Sequence, residues 1–162
     1  LNGSLLPTLK SMSLKEQLAN DLTDALRQGD ETRKSTIRML MSAINTEEVA
    51  GSERRELGNG DVLKVIARQV KQRRESIDEF KKAGRQELAD KEAAEMQVLQ
   101  AYMPEQAGRE EIEAEARKVI AEVGAAGPQD KGRVMQAIMP RLAGRAEGRD
   151  INEVVTQLLS AL

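Results

Sequence analysis

The chain is predicted to be all-α, with a four-helix N-terminal domain containing a long third helix and a compact three-helix C-terminal tail. Apolar residues return at three- and four-residue spacing in segment after segment, the period of one helix face. No segment sustains the alternate-residue pattern of a half-buried strand, and the β-branched residues are diluted among Ala, Leu, Glu, Lys and Arg. Pro104 and a series of glycines then cut the pattern into pieces of helix length.

Residues 1–11 show no helical stripe and precede Met12-Ser13, which reads like a natural start. They are expected to be an appended, disordered leader, the other reading being a short docking arm of Leu5, Leu6 and Leu9. Ser13-Leu14-Lys15-Glu16 is a capping box, followed by Leu14, Leu18, Leu22 and Leu26 up to a glycine stop at Gly29. Asp30 caps a second helix with Ile37, Leu40, Met41 and Ile44 inward, ending near Gly51. From Gly51 to Gly60, glycine, charge and Asn59 predict a mobile loop or an irregular turn. A third helix runs from about Asp61 to Ala83 on Val62, Val65, Ile66, Val70, Ile77 and Phe80. The fourth, from about Gln86 to Ala101, has sparser apolar positions at Leu88, Met96, Leu99 and Tyr102, with Glu87, Asp90, Glu92 and Glu95 as a broad wet face.

Pro104 lacks an amide hydrogen and disfavours helix at the residue before it, which puts the domain boundary between Met103 and Gly108. Residues 12–103 then form the N-terminal domain and 104–162 the tail. The fifth helix, from about Arg109 to Val123, opens with Glu110, Glu111, Glu113 and Glu115, acids suited to the positive end of a helix dipole, and closes at Gly124. Asp130 caps the sixth, which carries Val134, Met135, Ile138, Met139 and Leu142 while Pro140 frustrates its last turn. Asp150-Ile151-Asn152-Glu153 is an acidic capping box for the seventh, on Ile151, Val154, Val155, Leu158 and Leu159.

At 162 residues the chain holds one or two small cores but not a large enzyme. Histidine and cysteine are both absent, which removes imidazole bases, thiolate nucleophiles, zinc sites and disulfides. No catalytic residue, metal or cofactor is expected. Ser35-Thr36 and Gly51-Ser52 lack a partner base and read as helix surface and loop. With neither a signal peptide nor a long uncharged apolar run, the cytoplasm is the expected compartment and no membrane contact is anticipated. A net charge of -2, with 32% of residues charged, excludes coating nucleic acid through bulk positive potential, and DNA is not an expected partner. Phe80 and Tyr102 are the only aromatics, too few for base stacking, so an RNA contact would be local and directed at shape and phosphate.

Two basic groups are the candidate RNA sites. Lys64, Arg68, Lys71 and Arg74 follow one another at steps of four, three and three along one side of the third helix, while Arg73 points nearly opposite Lys71. Glu75, Asp78 and Glu79 adjoin them, so a solvated face of helix ion pairs is the competing meaning. In the tail, Gly124 to Leu162 carries five basic residues, Lys131, Arg133, Arg141, Arg145 and Arg149, against four acids, whereas Pro104 to Val123 holds three basic and six acidic residues. Three of these arginines surround Gly144 and Gly148, where missing side chains let a backbone approach an anion, and the planar guanidinium fork suits phosphate. The expectation is a single anion-docking corner; the plainer reading is that the two glycines end one helix and admit the next. Met39, Met41, Met96, Met103, Met135 and Met139 lie on or beside apolar stripes and read as core fillers rather than as an adaptable groove.

The run Gly132-Arg133-Val134-Met135-Gln136-Ala137-Ile138-Met139-Pro140-Arg141-Leu142-Ala143-Gly144-Arg145-Ala146-Glu147-Gly148-Arg149-Asp150 resembles the C-terminal cassette of the YqeY-like proteins and the tail domain of the B subunit of the tRNA-dependent amidotransferase. Val70-Lys71-Gln72-Arg73-Arg74-Glu75-Ser76-Ile77, with Phe80 and Lys82-Ala83-Gly84-Arg85, resembles a pattern in the N-terminal half of the same YqeY-like family. The resemblance runs from about Met12 to the end. It implies a tRNA amidotransferase-related accessory protein whose tail engages the body of the tRNA at the matching positions Lys131, Arg133, Arg141, Arg145 and Arg149. It also implies carbon-nitrogen ligase activity with glutamine as amido donor, only as part of an assembly, since neither an amidase signature nor a phosphate loop stands in this chain. The alternative is a helical adaptor that docks on an aminoacyl-tRNA synthetase or amidotransferase subunit through the third or fourth helix.

Overall fold

The computed structural model describes residues 12–162, and the reading of residues 1–11 as a leader lies outside them. Among the described residues there are α1 (Leu14–Gln28), α2 (Glu31–Glu48), α3 (Asn59–Lys82) and α4 (Gln86–Gln100), then α5 (Arg109–Val123), a 3-10 turn (Pro128–Asp130), α6 (Lys131–Ile138) and α7 (Gly148–Ser160), with no strand. The chain divides into two compact units, one ending at Tyr102 and one spanning Met103–Leu162.

In the first unit the capping box forms: Ser13 Oγ accepts the Glu16 N–H at 3.1 Å and the Glu16 carboxylate accepts the Ser13 N–H at 3.4 Å. Gly29 ends α1 in the left-handed region, at φ 66°. Leu18 and Ala25 are buried, but Leu26 is exposed. Four-residue spacing drifts about 40° per step around a helix, so the leucine stripe turns away and Ala25 takes the inward position. On α2, Ile37, Leu40 and Ile44 are buried, and so is Thr36, which is therefore not helix surface as predicted: its position, one residue before Ile37, falls on the inward side of the helix.

The segment before α3 is irregular but tied down. Glu48, at the end of α2, is buried; its Oε2 accepts the Leu57 N–H at 2.8 Å and the Lys15 ammonium at 2.7 Å. The Glu48 carbonyl also accepts the Arg55 N–H at 2.9 Å, and Leu57 packs into the core. The loop is thus anchored by a carboxylate and one apolar side chain. Helix α3 begins at Asn59, two residues before the predicted start, and the Asn59 side chain accepts the Leu14 N–H at 2.9 Å.

The Lys15 hydrogen bond, followed by that from Leu57, holds the Glu48 carboxyl below its ordinary range, and Glu48 in turn raises Lys15. A carboxylate depressed in the folded state stabilises the fold above its unfolded value, near 4.3, and that contribution is lost as pH falls through the depressed value. The raised Lys15 contributes at neutral pH and loses its contribution as pH rises through its folded value. Urea denaturation of Glu48→Gln should show lower stability at pH 7 and a flatter acid limb than the parent. An unchanged acid limb would remove Glu48 from that role.

Helices α3 and α4 meet along two seams. On α3 the seam is Ile66, Val70, Arg73 and Ile77, and on α4 it is Leu88, Glu92, Glu95 and Leu99. Arg73 and Glu95 are buried in the middle of it, and Arg73 Nη1 contacts the Glu92 carboxylate at 3.0 Å and that of Glu95 as well. The predicted wet face of α4 is therefore corrected. Glu87 and Asp90 face water, but Glu92 is half-buried and Glu95 buried, because both carboxylates turn to the guanidinium across the seam. Removing one member of a buried charge cluster strands the others, at about 3–5 kcal/mol. Arg73→Leu should cost about that much in urea denaturation, and the cost should shrink when Glu92 and Glu95 are also made Gln; a cost under about 1 kcal/mol would mean that the cluster does not hold the hairpin.

The second unit has its own core. Ile112, Ala116 and Val119 from α5, Val134 and Ile138 from α6, Leu142 beyond it, and Ile151, Val154, Val155 and Leu159 from α7 are all buried. Helix α6 stops at Ile138, two residues ahead of Pro140, and the chain continues in turns to Ala146. Two predicted caps differ. Asp130 occupies the first boundary of α6 without a side-chain cap bond, its carboxylate instead accepting the Ala126 N–H at 2.8 Å and pairing with Arg133. Helix α7 starts at Gly148 behind Glu147, so Asp150 is not its cap but an acid within its first turn, where the dipole still favours it. Of the methionines read as core fillers, Met135 packs half-buried against the core of the second unit and Met41, Met96 and Met103 are half-buried, but Met39 and Met139 are exposed.

Candidate nucleic-acid interface

The connection between α6 and α7 is the most closely tied turn in the tail. Gly144 adopts φ 75°, and the Arg145 and Ala146 N–H groups donate to the Leu142 carbonyl at 2.9 and 3.1 Å. The Arg145 carbonyl accepts the Ala107 N–H at 2.7 Å, Arg145 Nε donates to the Glu105 carbonyl at 3.1 Å, and the Gln106 amide donates to the Gly144 carbonyl at 3.0 Å. Buried Leu142 seats the turn on the core. The entry segment of the tail domain, residues 105–107, thus holds the turn in place.

The turn aims its arginines at α5. Arg145 Nη1 lies 2.6 Å from Glu111 Oε1; Arg141 Nη1 lies 3.6 Å from Glu115 and 3.4 Å from Glu122, whose other oxygen takes Arg141 Nη2. Glu111, Glu115 and Glu122 fall on one side of α5, at steps of four and seven residues. Glu111 and Glu115, expected to serve the helix dipole, serve these guanidiniums too, while Glu122, in the last turn of α5, lies outside that set of acids. Glu111 is held below the ordinary carboxylate range chiefly by its hydrogen bond from Arg145. Glu122 raises Arg141 and Glu111 raises Arg145, so both arginines stay fully charged.

The expectation of one free cationic corner is accordingly corrected. Arg133 pairs with Asp130 at 3.2 Å, while Arg141 and Arg145 are matched by the carboxylates of α5. Lys131, at the first position of α6, and Arg149, exposed in the first turn of α7, form no ion pair among the described residues. The reason is local: the acidic stripe of α5 lies within reach of the turn, and charges that close pair before they converge. The pairs are wet, however, with 37% and 53% of the Arg141 and Glu122 side chains exposed and 35% and 48% of those of Arg145 and Glu111. Exposed pairs of this kind contribute little to stability and are screened by salt.

On α3, Lys64, Arg68 and Lys71 are exposed and Arg74 is half-buried. Lys64 lies 3.8 Å from Asp61 and Arg68 pairs with Glu47 of α2. Sequence reasoning misses two charged groups, Glu48 with Lys15 and the cluster around Arg73, and a third formed by Asp21, Arg33 and Tyr102. The position of Arg73 within the apolar seam of α3 is a readable signal; nothing local marks Asp21, which meets Tyr102 from 81 residues away.

A family model described as Yqey-like protein matches residues 15–159. The chain belongs to the YqeY-like family. It is similar to proteins named Altered inheritance of mitochondria protein 41, mitochondrial. The one from Eremothecium gossypii is 43% identical over 86 residues, covering 53% of this chain and 46% of the relative. The Kluyveromyces lactis protein is 34% identical over 113 residues, covering 68% and 60%, and that from Pyrenophora tritici-repentis is 34% identical over 134 residues, covering 80% and 71%. The match thus spans only 46% and 60% of the length of the first two relatives. Among the described residues of this YqeY-like chain, no helix is long and apolar enough to cross a membrane.

Proposed function

We propose that this YqeY-like protein is a tRNA amidotransferase-related accessory protein that binds the body of tRNA through its tail. The observation that carries the reading is the turn of residues 139–147, which fixes the backbone of Arg141 and Arg145 while leaving their guanidiniums in exposed, exchangeable pairs. Phosphate can take such a guanidinium in the same two-point geometry that Glu122 now gives Arg141. Arg149 brings a third cation, beside the uncapped start of α7, and Lys131 and Arg133 extend the set along α6. Carbon-nitrogen ligation with glutamine as amido donor enters this proposal only as an activity of a larger assembly. Cytoplasmic residence also belongs to the proposal; the names of the fungal relatives make the mitochondrion the other compartment, and imaging of the tagged full-length protein separates the two.

A second reading, a helical adaptor on an aminoacyl-tRNA synthetase or amidotransferase subunit, is favoured by the same carboxylates. They neutralise much of the cationic surface of the tail, and the docking face of this reading stays on the third or fourth helix. Pull-down from a lysate treated with ribonuclease distinguishes them, because an adaptor keeps its protein partner without RNA.

Filter binding of total tRNA across a salt series tests the first reading. Affinity should fall with salt, and changing Arg141, Arg145 and Arg149 together to Ala should reduce the slope of log affinity against log salt by roughly 0.7–0.9 for each phosphate that the protein no longer neutralises. Arg149→Ala alone, which breaks no ion pair, should weaken binding without altering thermal stability. No binding at low salt, or binding indifferent to the triple change, would exclude the tail as a tRNA site.

A further inference from the structure

Asp21 of α1, Arg33 of α2 and Tyr102 beyond the end of α4 meet in a recess of about 330 Å³ within the first unit, a volume at the lower end of small-ligand pockets. On one side it is lined by Ala94 and Val98 of α4 and by Ala101 just beyond its end, the two alanines being exposed. Gln17 and Gln97 flank it from α1 and α4.

Its charges are arranged differently from the arginine–carboxylate pairs described above. The Tyr102 hydroxyl donates to Asp21 Oδ2, and Arg33 lies against the same hydroxyl. Burial first, and the Asp21 carboxylate second, hold the phenol well above its ordinary value, so it remains a proton donor across the physiological range. Elsewhere arginines and carboxylates that come close pair directly, as Arg73, Arg141 and Arg145 do. Here the guanidinium and the carboxylate both meet one hydroxyl, and neither forms an ion pair among the described residues. Arg33 instead reaches the Gln28 amide oxygen at 3.5 Å, a weak contact for a guanidinium.

A cation and an anion held apart in one recess are complementary to a small molecule bearing both charges in reverse. We infer that this recess binds a free amino acid as its zwitterion, the carboxylate on Arg33 and the ammonium on Asp21, with Gln17 and Gln97 facing its side chain. A simple anion would use Arg33 alone and leave Asp21 facing a like charge. A simple cation would use Asp21 alone and meet Arg33. A molecule with both groups satisfies the two without repulsion, and about 330 Å³ leaves room for one of amino-acid size. The inference concerns the first unit and is independent of RNA binding by the tail.

The test is titration of the full-length, isotope-labelled protein with the common free amino acids, following the backbone amides of Ala94, Ala101 and Tyr102 by NMR. At least one should shift these signals saturably, while its N-acetylated form, which lacks the ammonium, and its amide form, which lacks the carboxylate, should not. Arg33→Gln and Asp21→Asn should each weaken binding by about tenfold or more, the loss of one charge-assisted hydrogen bond. The amide oxygen that Asp21→Asn introduces would still accept the Tyr102 hydroxyl, which keeps the helices joined, and the two blocked analogues decide the matter on the unaltered protein if either variant is unstable. No saturable shift at these residues with any common amino acid, or equal shifts with the blocked forms, would overturn the inference.

Discussion

Three charged side chains, Arg73, Glu92 and Glu95, meet where two apolar seams would otherwise run unbroken, and charge withdrawn from water must be matched or left at high cost. That requirement favours a single register of α3 on α4. Sliding either helix by a turn would leave the guanidinium with at most one of its two carboxylates. With the hairpin so aligned, Ile66, Val70 and Ile77 of α3 and Ala89 and Leu99 of α4 are all buried, and α2 packs against both helices and α1 against α3. Glu48 does a similar service at the other end of α2, where one carboxylate gathers Lys15 from α1 and Leu57 from the approach to α3. The first unit is therefore an apolar bundle whose alignment is set by a few charges.

The tail uses the same chemistry under different solvation. Its arginines also face carboxylates, but across a wet surface, where an ion pair is a loose arrangement rather than a fastener. Burial is what separates the two cases. Arg73 has no route to an outside ligand, whereas Arg141 and Arg145 keep a fixed backbone and a replaceable partner. On the proposed reading, such a site would favour anions able to displace a single carboxylate, such as a string of phosphates, over an isolated one. Self-neutralisation by α5 would also suppress indiscriminate binding, consistent with a chain of net charge -2.

Most of the helical framework is legible in the sequence because amphipathic period and stop signals are local: the Ser13 capping box, Gly29, Gly84, Gly124 and Pro140 act through neighbouring backbone. The errors arise where a distant partner decides. Glu95 is indistinguishable from a solvated acid until Arg73 is placed opposite it, and Leu57 looks like a lone apolar residue in a loop until Glu48 receives its amide. Asp150 reads as a cap because the pattern of capping acids does not say whether the helix has already begun. Arg73 is the exception, since its seat between Val70 and Ile77 in the seam is visible without coordinates. The candidate cations of the tail are readable as exposed or half-exposed groups on and around one turn, but their counter-ions, spaced along α5, belong to tertiary structure.

The account turns on whether the arginines of the α6–α7 turn exchange their own carboxylates for phosphate. The most direct measurement is the side-chain Nε–H spectrum of the arginine-labelled protein as tRNA is added. The signals of Arg141 and Arg145 are predicted to move with tRNA and to return as salt is raised, while that of buried Arg73 stays where it is. Signals of Arg141 and Arg145 that remain fixed at saturating tRNA would contradict the account.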